Sequence, residues 1–200
     1  MSHLIRTLLK LICKGDLIPF VRGRWYAIRT GNPAKTAYIK SPLKFSYKHI
    51  RWGKGLSIQK NCRIEAVTEY EGIKYNPSII LGNRVSFQQN AHLTCAERIK
   101  IGDNTAIASN VTITDIDHPY QDITIPIERQ HLKVIPVKIG KDCKIYNNAV
   151  ILQGTVIGNH CVVGANSVVK GTFPDYSVIV GCPSRIVKRY NFETKEWESV

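Results

Sequence analysis

The chain has 200 residues, is 44% hydrophobic and 22% charged, and carries a formal net charge of +13. That balance excludes a disordered polyelectrolyte, and no apolar run approaches the roughly 20 residues that a spanning helix needs. The charge is lopsided: residues 1–60 hold 13 Lys and Arg against one acid, Asp16, whereas residues 61–200 hold 15 against 14. The positive start suits phosphates, an anionic membrane surface or nucleic acid.

Residues 1–38 read as a basic amphipathic cap. Leu4, Ile5, Leu8, Leu9, Leu11 and Ile12 alternate with Arg6, Lys10 and Lys14, a short helical pattern with a basic side. Six cysteines at wide spacings, with no Cys-x-x-Cys pair and no signal-peptide cleavage pattern, predict free and mostly buried thiols in a reducing cytoplasm.

A weak register at Ile50, Leu56, Ile58 and Ile64 opens into a strict one. An apolar residue recurs every six positions at Leu81, Phe87, Leu93, then Ile101, Ile107, Ile113, then Ile139, Ile145, Ile151, Ile157, Val163 and Val169. Four residues after most of these stands a small side chain, such as Ala91, Thr105, Cys143, Ala149, Thr155, Cys161 and Ser167. Neither a helix nor an alternating strand has this period; a short parallel strand plus a turn does, with three such units closing one triangular coil. The spacing predicts 18-residue coils at 81–98, 101–118, 139–156 and 157–174, with one or two irregular coils before them. The β-helix is placed at 39–182. An insertion at 119–138 interrupts the register, and a long excursion from a regular solenoid is usually functional. Residues 183–200 read as a polar C-terminal tail carrying Tyr190, Phe192 and Trp197.

The run from Ile139-Gly140-Lys141-Asp142 through Val163-Gly164-Ala165-Asn166-Ser167-Val168-Val169 resembles the hexapeptide-repeat acyltransferases. So does the ending Gly181-Cys182-Pro183-Ser184-Arg185-Ile186-Val187. Asp117-His118-Pro119 before an external loop is similar to the galactoside and maltose O-acetyltransferases, and the tail with Trp197 to the lipopolysaccharide O-antigen O-acetyltransferases. The resemblance covers residues 78–200 well and 1–77 poorly. It implies an all-β fold, a left-handed parallel β-helix. It further implies a homotrimer with sites between subunits, acetyl-CoA as donor and a sugar hydroxyl as acceptor; the basic, amphipathic start favours a lipid-linked glycan as that acceptor. No metal is expected.

A hydroxyl that attacks a thioester needs a base, and imidazole is the natural one near neutral pH. The resemblance assigns that role to His118; Asp115, and as a weaker candidate Asp117, flank it as carboxylates that could orient the imidazole. Asn90 and His92 are matched to the acceptor site, with Gln88 and Gln89 as weaker candidates. For the nucleotide and pantetheine of CoA the candidates are Lys144, Ala165, Lys170, Arg185 and Lys188. Where many relatives carry Trp-Ile-Gly near CoA, this chain reads Lys144-Ile145-Tyr146, so charge replaces stacking there. His131 could cover the site from the loop, and His160 reads as a turn residue.

The alternative readings are an N-acyltransferase acting on a nucleotide-linked amino sugar, and an inactive β-helix scaffold. A metal-dependent hydratase on the same fold needs a pair of His about five residues apart, which His92, His118, His131 and His160 do not supply. No nucleic-acid module is present, and none is expected as partner. Residues 1–30 are expected either to touch the inner face of the membrane or simply to cap the helix and meet neighbouring subunits.

Overall fold

The apolar residues of the six-residue register form three inward columns. The computed structural model describes residues 17–33 and 37–200. The amphipathic pattern at residues 4–12, and Cys13, lie outside them. On the first face Ile39, Ile58, Phe87, Ile107, Ile145, Val163 and Ile179 are successive register partners. On the second they are Phe45, Ile64, Leu93, Ile113, Ile151 and Val169. On the third they are Trp52, Leu81, Ile101, Ile139, Ile157 and Phe173. All are buried, and all these pairings are parallel. Each fully buried aliphatic side chain contributes about 1.5–3 kcal/mol by leaving water, which is why the register is held so strictly.

The three faces belong to a left-handed parallel β-helix, an exception to the right-handed crossover rule. Successive coils pass through the first, second and third face in turn. The first coil already begins at the strand Tyr38–Ile39, so six coils precede the last strand, Ser177–Gly181: the four of the strict register and two before them. Tight corners need positive φ. Between the first and second faces Asn61, Asn90, Asn110, Asn148 and Asn166 have φ of 61°, 61°, 59°, 61° and 57°. Their amides form a ladder, Asn90 donating to Asn110, Asn110 to Asn148 and Asn148 to Asn166 at 3.0–3.1 Å. Asn is the non-glycine residue that best tolerates this conformation, and stacking then satisfies its side chain.

The N-terminal end is covered by helix α1, Leu17–Thr30. Pro19, Gly23 and Ala27 are its buried residues, and Tyr26 packs on Phe45 and Tyr47. The Asn32 side chain ties the following turn to the first coil, accepting from the Trp52 N–H and donating to the Ile50 carbonyl. At the other end the expected tail is ordered sheet. Ser184–Asn191 pairs antiparallel with Ser177–Gly181, and Glu196–Ser199 pairs antiparallel with Ser184–Asn191. An aromatic cluster of His160, Tyr176, Tyr190, Phe192 and Trp197 clips this hairpin to the coils. His160 sits at a corner with φ of 54°, as a turn residue should, but its ring also stacks on Trp197.

Two insertions leave the coils between the second and third faces. One is the hairpin Glu69–Tyr70 with Ile73–Lys74 in the second coil, which the register did not announce. The other occupies residues 115–136 of the fourth coil, leaving the solenoid earlier than expected. Its base is closed by antiparallel pairing of Ile116–Asp117 with Lys133–Val134. Among the described residues no helix is long and apolar enough to cross a membrane. Of the described cysteines, Cys62, Cys95, Cys143 and Cys161 are buried and free, and Cys182 is exposed and free.

Candidate functional site

Strand alternation on the second face sends every other residue outward, and stacking lines these residues up. Arg63, His92 and Thr112 form one outward column, and Glu65, Thr94 and Thr114 the next. The two insertions rise beside these columns because both leave at the same edge of the face. Together they wall a cavity of about 590 Å³ lined by the two columns, by Tyr70 of the hairpin, and by Ile116, His118, Glu128 and Leu132 of the loop.

The walls are fastened to each other. The Tyr70 hydroxyl donates to the Glu128 carbonyl at 2.6 Å and lies 3.0 Å from the Glu128 carboxylate. The Leu132 N–H donates to the Tyr75 hydroxyl at 3.2 Å. Burial and the Glu128 carboxylate beside it push the Tyr70 phenol above its ordinary value, so it remains a donor.

His118 follows the strand pair at the base of the loop. It is half-buried, and its Nδ1 is enclosed with no hydrogen-bond partner among the described residues. The Tyr70 ring meets it edge to face, with centroids 5.5 Å apart. His92 lies in the same cavity with Nε2 2.8 Å from the Thr94 hydroxyl. Burial and the Arg63 guanidinium lower its pKa below the usual imidazole value, against a smaller opposing effect of Glu65. Arg63 and Glu65 form an ion pair on the same wall.

The structure gives Asp115 a different task from the one expected. Its side chain is fully buried, turned toward the coil below. Oδ1 accepts from the Ala96 N–H at 2.8 Å, and Oδ2 from the Glu97 and Arg98 N–H groups at 2.9 and 2.8 Å and from the Cys95 thiol. Both oxygens are engaged in holding that corner, and His118 is not among their partners. Asp117 accepts from the Gln153 amide at 2.8 Å, which ties the base of the loop to the next coil.

Of the other expected residues, Asn90 stands in the corner ladder and does not line the cavity around His118. Gln88, Gln89 and His131 do not line it either. Lys144 and Lys188 share one outward column of the first face, with Val162 and Val178 between them. The Lys144 ammonium lies 5.5 Å from the centre of the Tyr146 ring, a cation–π distance. Arg185 is exposed on the same strand as Lys188. Ala165 is exposed at the corner between the first and second faces, and Lys170 is exposed after the last strand of the second face. Sequence reasoning missed Tyr70, Glu128, Arg63, Glu65 and the threonines. Arg63 was findable, since it precedes the inward Ile64 as His92 precedes Leu93. Among the described residues no group of three or more His, Cys, Asp or Glu is placed to hold a metal ion.

Residues 136–171 match the family described as bacterial transferase hexapeptide (six repeats). The chain is 41% identical over 127 residues to the putative lipopolysaccharide biosynthesis O-acetyl transferase WbbJ of Escherichia coli K12, covering 60% of this chain and 65% of that protein. It is 38% identical over 122 residues to the probable acetyltransferase Rv3034c of Mycobacterium tuberculosis, covering 61% of this chain and 40% of that protein. It therefore spans less than two thirds of either relative. The crystal structure of AntD, an N-acyltransferase from Bacillus cereus in complex with dTDP and 3-hydroxybutyryl-CoA, superposes with a TM-score of 0.71 over 86% of this chain and 90% of that one. At 21% identity that likeness concerns the fold. This repeat, these stacked coils and these relatives make the chain similar to the hexapeptide-repeat transferases.

Proposed function

We propose that this chain is an acetyl-CoA-dependent O-acetyltransferase acting on a sugar hydroxyl in polysaccharide biosynthesis, with His118 as general base. The observation that carries the reading is the place of the His118 imidazole in the wall of a polar cavity, held edge to face by the Tyr70 ring. The rest of the wall suits a polyol: Thr94, Thr112 and Thr114 can each donate and accept, and Arg63 and Glu65 add a fixed donor and acceptor.

In this reading the acceptor hydroxyl gives its proton to His118 as its oxygen attacks the thioester carbonyl carbon. The tetrahedral intermediate collapses, the C–S bond breaks, and the leaving thiolate takes the proton back from the imidazolium. Lys144, Lys170, Arg185 and Lys188 are the candidates for the phosphates of CoA, with Ala165 beside the pantetheine arm. Three chains assemble with their sites between them. That the two relatives are described as acetyltransferases supports acetyl as the group moved.

The test starts with the donor. Acetyl-CoA titrated into the protein by calorimetry binds saturably, one per chain, and more weakly to an Arg185→Ala, Lys188→Ala variant. Transfer to a panel of glycan acceptors then falls about 10²–10⁴-fold in His118→Ala. No binding at millimolar donor moves the scaffold reading ahead. Preference for nucleotide-linked amino sugars over hydroxyl acceptors identifies an N-acyltransferase instead, the activity named for AntD.

A further inference from the structure

Helix α1 has two faces, and capping the coil uses one. Gly23 shows how close that contact is: a Cβ there would lie 2.1 Å from the Ala37 carbonyl oxygen. The other face leaves Ile18, Val21, Trp25 and Ile28 exposed at 67%, 59%, 46% and 70%. At about 100° per residue these four fall within an arc of about 80°. Arg22 and Arg29 lie on one side of the stripe and Arg24 on the other. Arg22 is held against the first coil by donating to the Ile39 carbonyl, and the Arg29 guanidinium lies 4.4 Å from the centre of the Trp25 ring. The helix contains no Asp or Glu, and Asp16 is the only acid in the first 60 residues.

We propose that the outer face of this helix seats on an anionic lipid surface. Ile18, Val21, Trp25 and Ile28 enter the boundary between headgroups and acyl chains, and Arg24 and Arg29 meet lipid phosphates. A narrow apolar stripe flanked by cations on both sides is what an interfacial helix presents. The charge argues against a second copy as the occupant, because pairing two such helices sets one acid-free, arginine-flanked face against another. The cap and the membrane contact are therefore not alternatives: opposite faces of one helix serve both. The inference is independent of the catalytic reading, because it concerns the end of the solenoid and not the cavity around His118.

The test is co-sedimentation of the full chain with vesicles of phosphatidylcholine alone or mixed with phosphatidylglycerol, at low and high salt. The parent is expected to bind the mixed vesicles, to release them at high salt, and to ignore the neutral ones. Val21→Asp with Ile28→Asp lowers partitioning at least about tenfold, as does Arg24→Glu with Arg29→Glu, while far-UV circular dichroism and the melting temperature stay at parent values. A parent that ignores anionic vesicles at low salt overturns the proposal. So does equal binding by parent and both variants, which places the contact elsewhere. A changed sedimentation mass in Val21→Asp with Ile28→Asp, with vesicle binding intact, also overturns it, because the stripe is then a subunit contact.

Discussion

Between Asp115 and His118 the chain turns from the packed corner of one coil into the wall of the cavity. Asp115 is fully buried and accepts three backbone N–H groups and a thiol. Asp115→Ala leaves those donors unpaired in the interior, and the expected loss is roughly 3 kcal/mol or more, read from denaturant midpoints. His118→Ala should keep the parent midpoint and lose transfer, which separates a structural residue from a chemical one. An Asp115→Ala protein of parent stability would refute the corner role. His92 adds a pH dependence. Burial, and then Arg63, hold its pKa below the ordinary value, so the folded protein keeps it neutral where the unfolded chain takes up a proton. The stability it contributes is therefore complete above the ordinary imidazole pKa of about 6.5 and is lost as pH falls through that value to the lower folded one. His92→Gln should flatten the stability curve as pH falls below the ordinary imidazole value of about 6.5, and an unchanged slope would count against it.

At the scale of elements, the coils were legible and the insertions' work was not. Twelve apolar positions in one period located the coils from Leu81 on, because each inward residue is fixed by its register partner above and below. The hairpin at Glu69–Tyr70 and Ile73–Lys74 breaks no apolar rule and turns on Glu71 and Gly72, with φ of 45° and 74°, so nothing periodic marks it. The C-terminal hairpin was read as a tail because its strands answer to an edge of the first face and to rings from earlier coils, not to the six-residue register. His118 was reachable from its place where the six-residue register breaks off, whereas Tyr70 and Glu128 meet only through folding across 58 residues. Their contact carries a prediction. Tyr70→Phe removes both bonds to Glu128 and keeps the ring against His118. Amide exchange in residues 119–132 should then speed up roughly several-fold while the strands of the second face stay protected. Equal exchange in parent and variant would mean that the loop stands without the hairpin.

Across the whole molecule, each coil rests on the next, and the corner between the third and first faces sets how closely. Gly53, Gly82, Gly102, Gly140 and Gly158 stack there, and a Cβ on any of them would come within 2.2–2.6 Å of an atom in the following coil. At Gly140 the obstacle is main chain: the Gly158 carbonyl oxygen at 2.4 Å and its carbon at 2.5 Å. Backbone cannot swing aside as a long side chain does, so Gly140→Ala must part the fourth coil from the fifth. In a solenoid stability is close to a sum of repeat terms and nearest-neighbour interfaces. Weakening one central interface should thus do more than lower the midpoint by about 3 kcal/mol or more. It should split a single unfolding transition in two, one for the coils under α1 and one for the coils clipped by the C-terminal hairpin. Lys141→Ala, at the exposed neighbouring position, should stay within about 0.5 kcal/mol of the parent and unfold in one step. Calorimetric unfolding of the two variants decides the matter: one transition at the parent temperature for Gly140→Ala would mean that the coils do not depend on this corner for their contact.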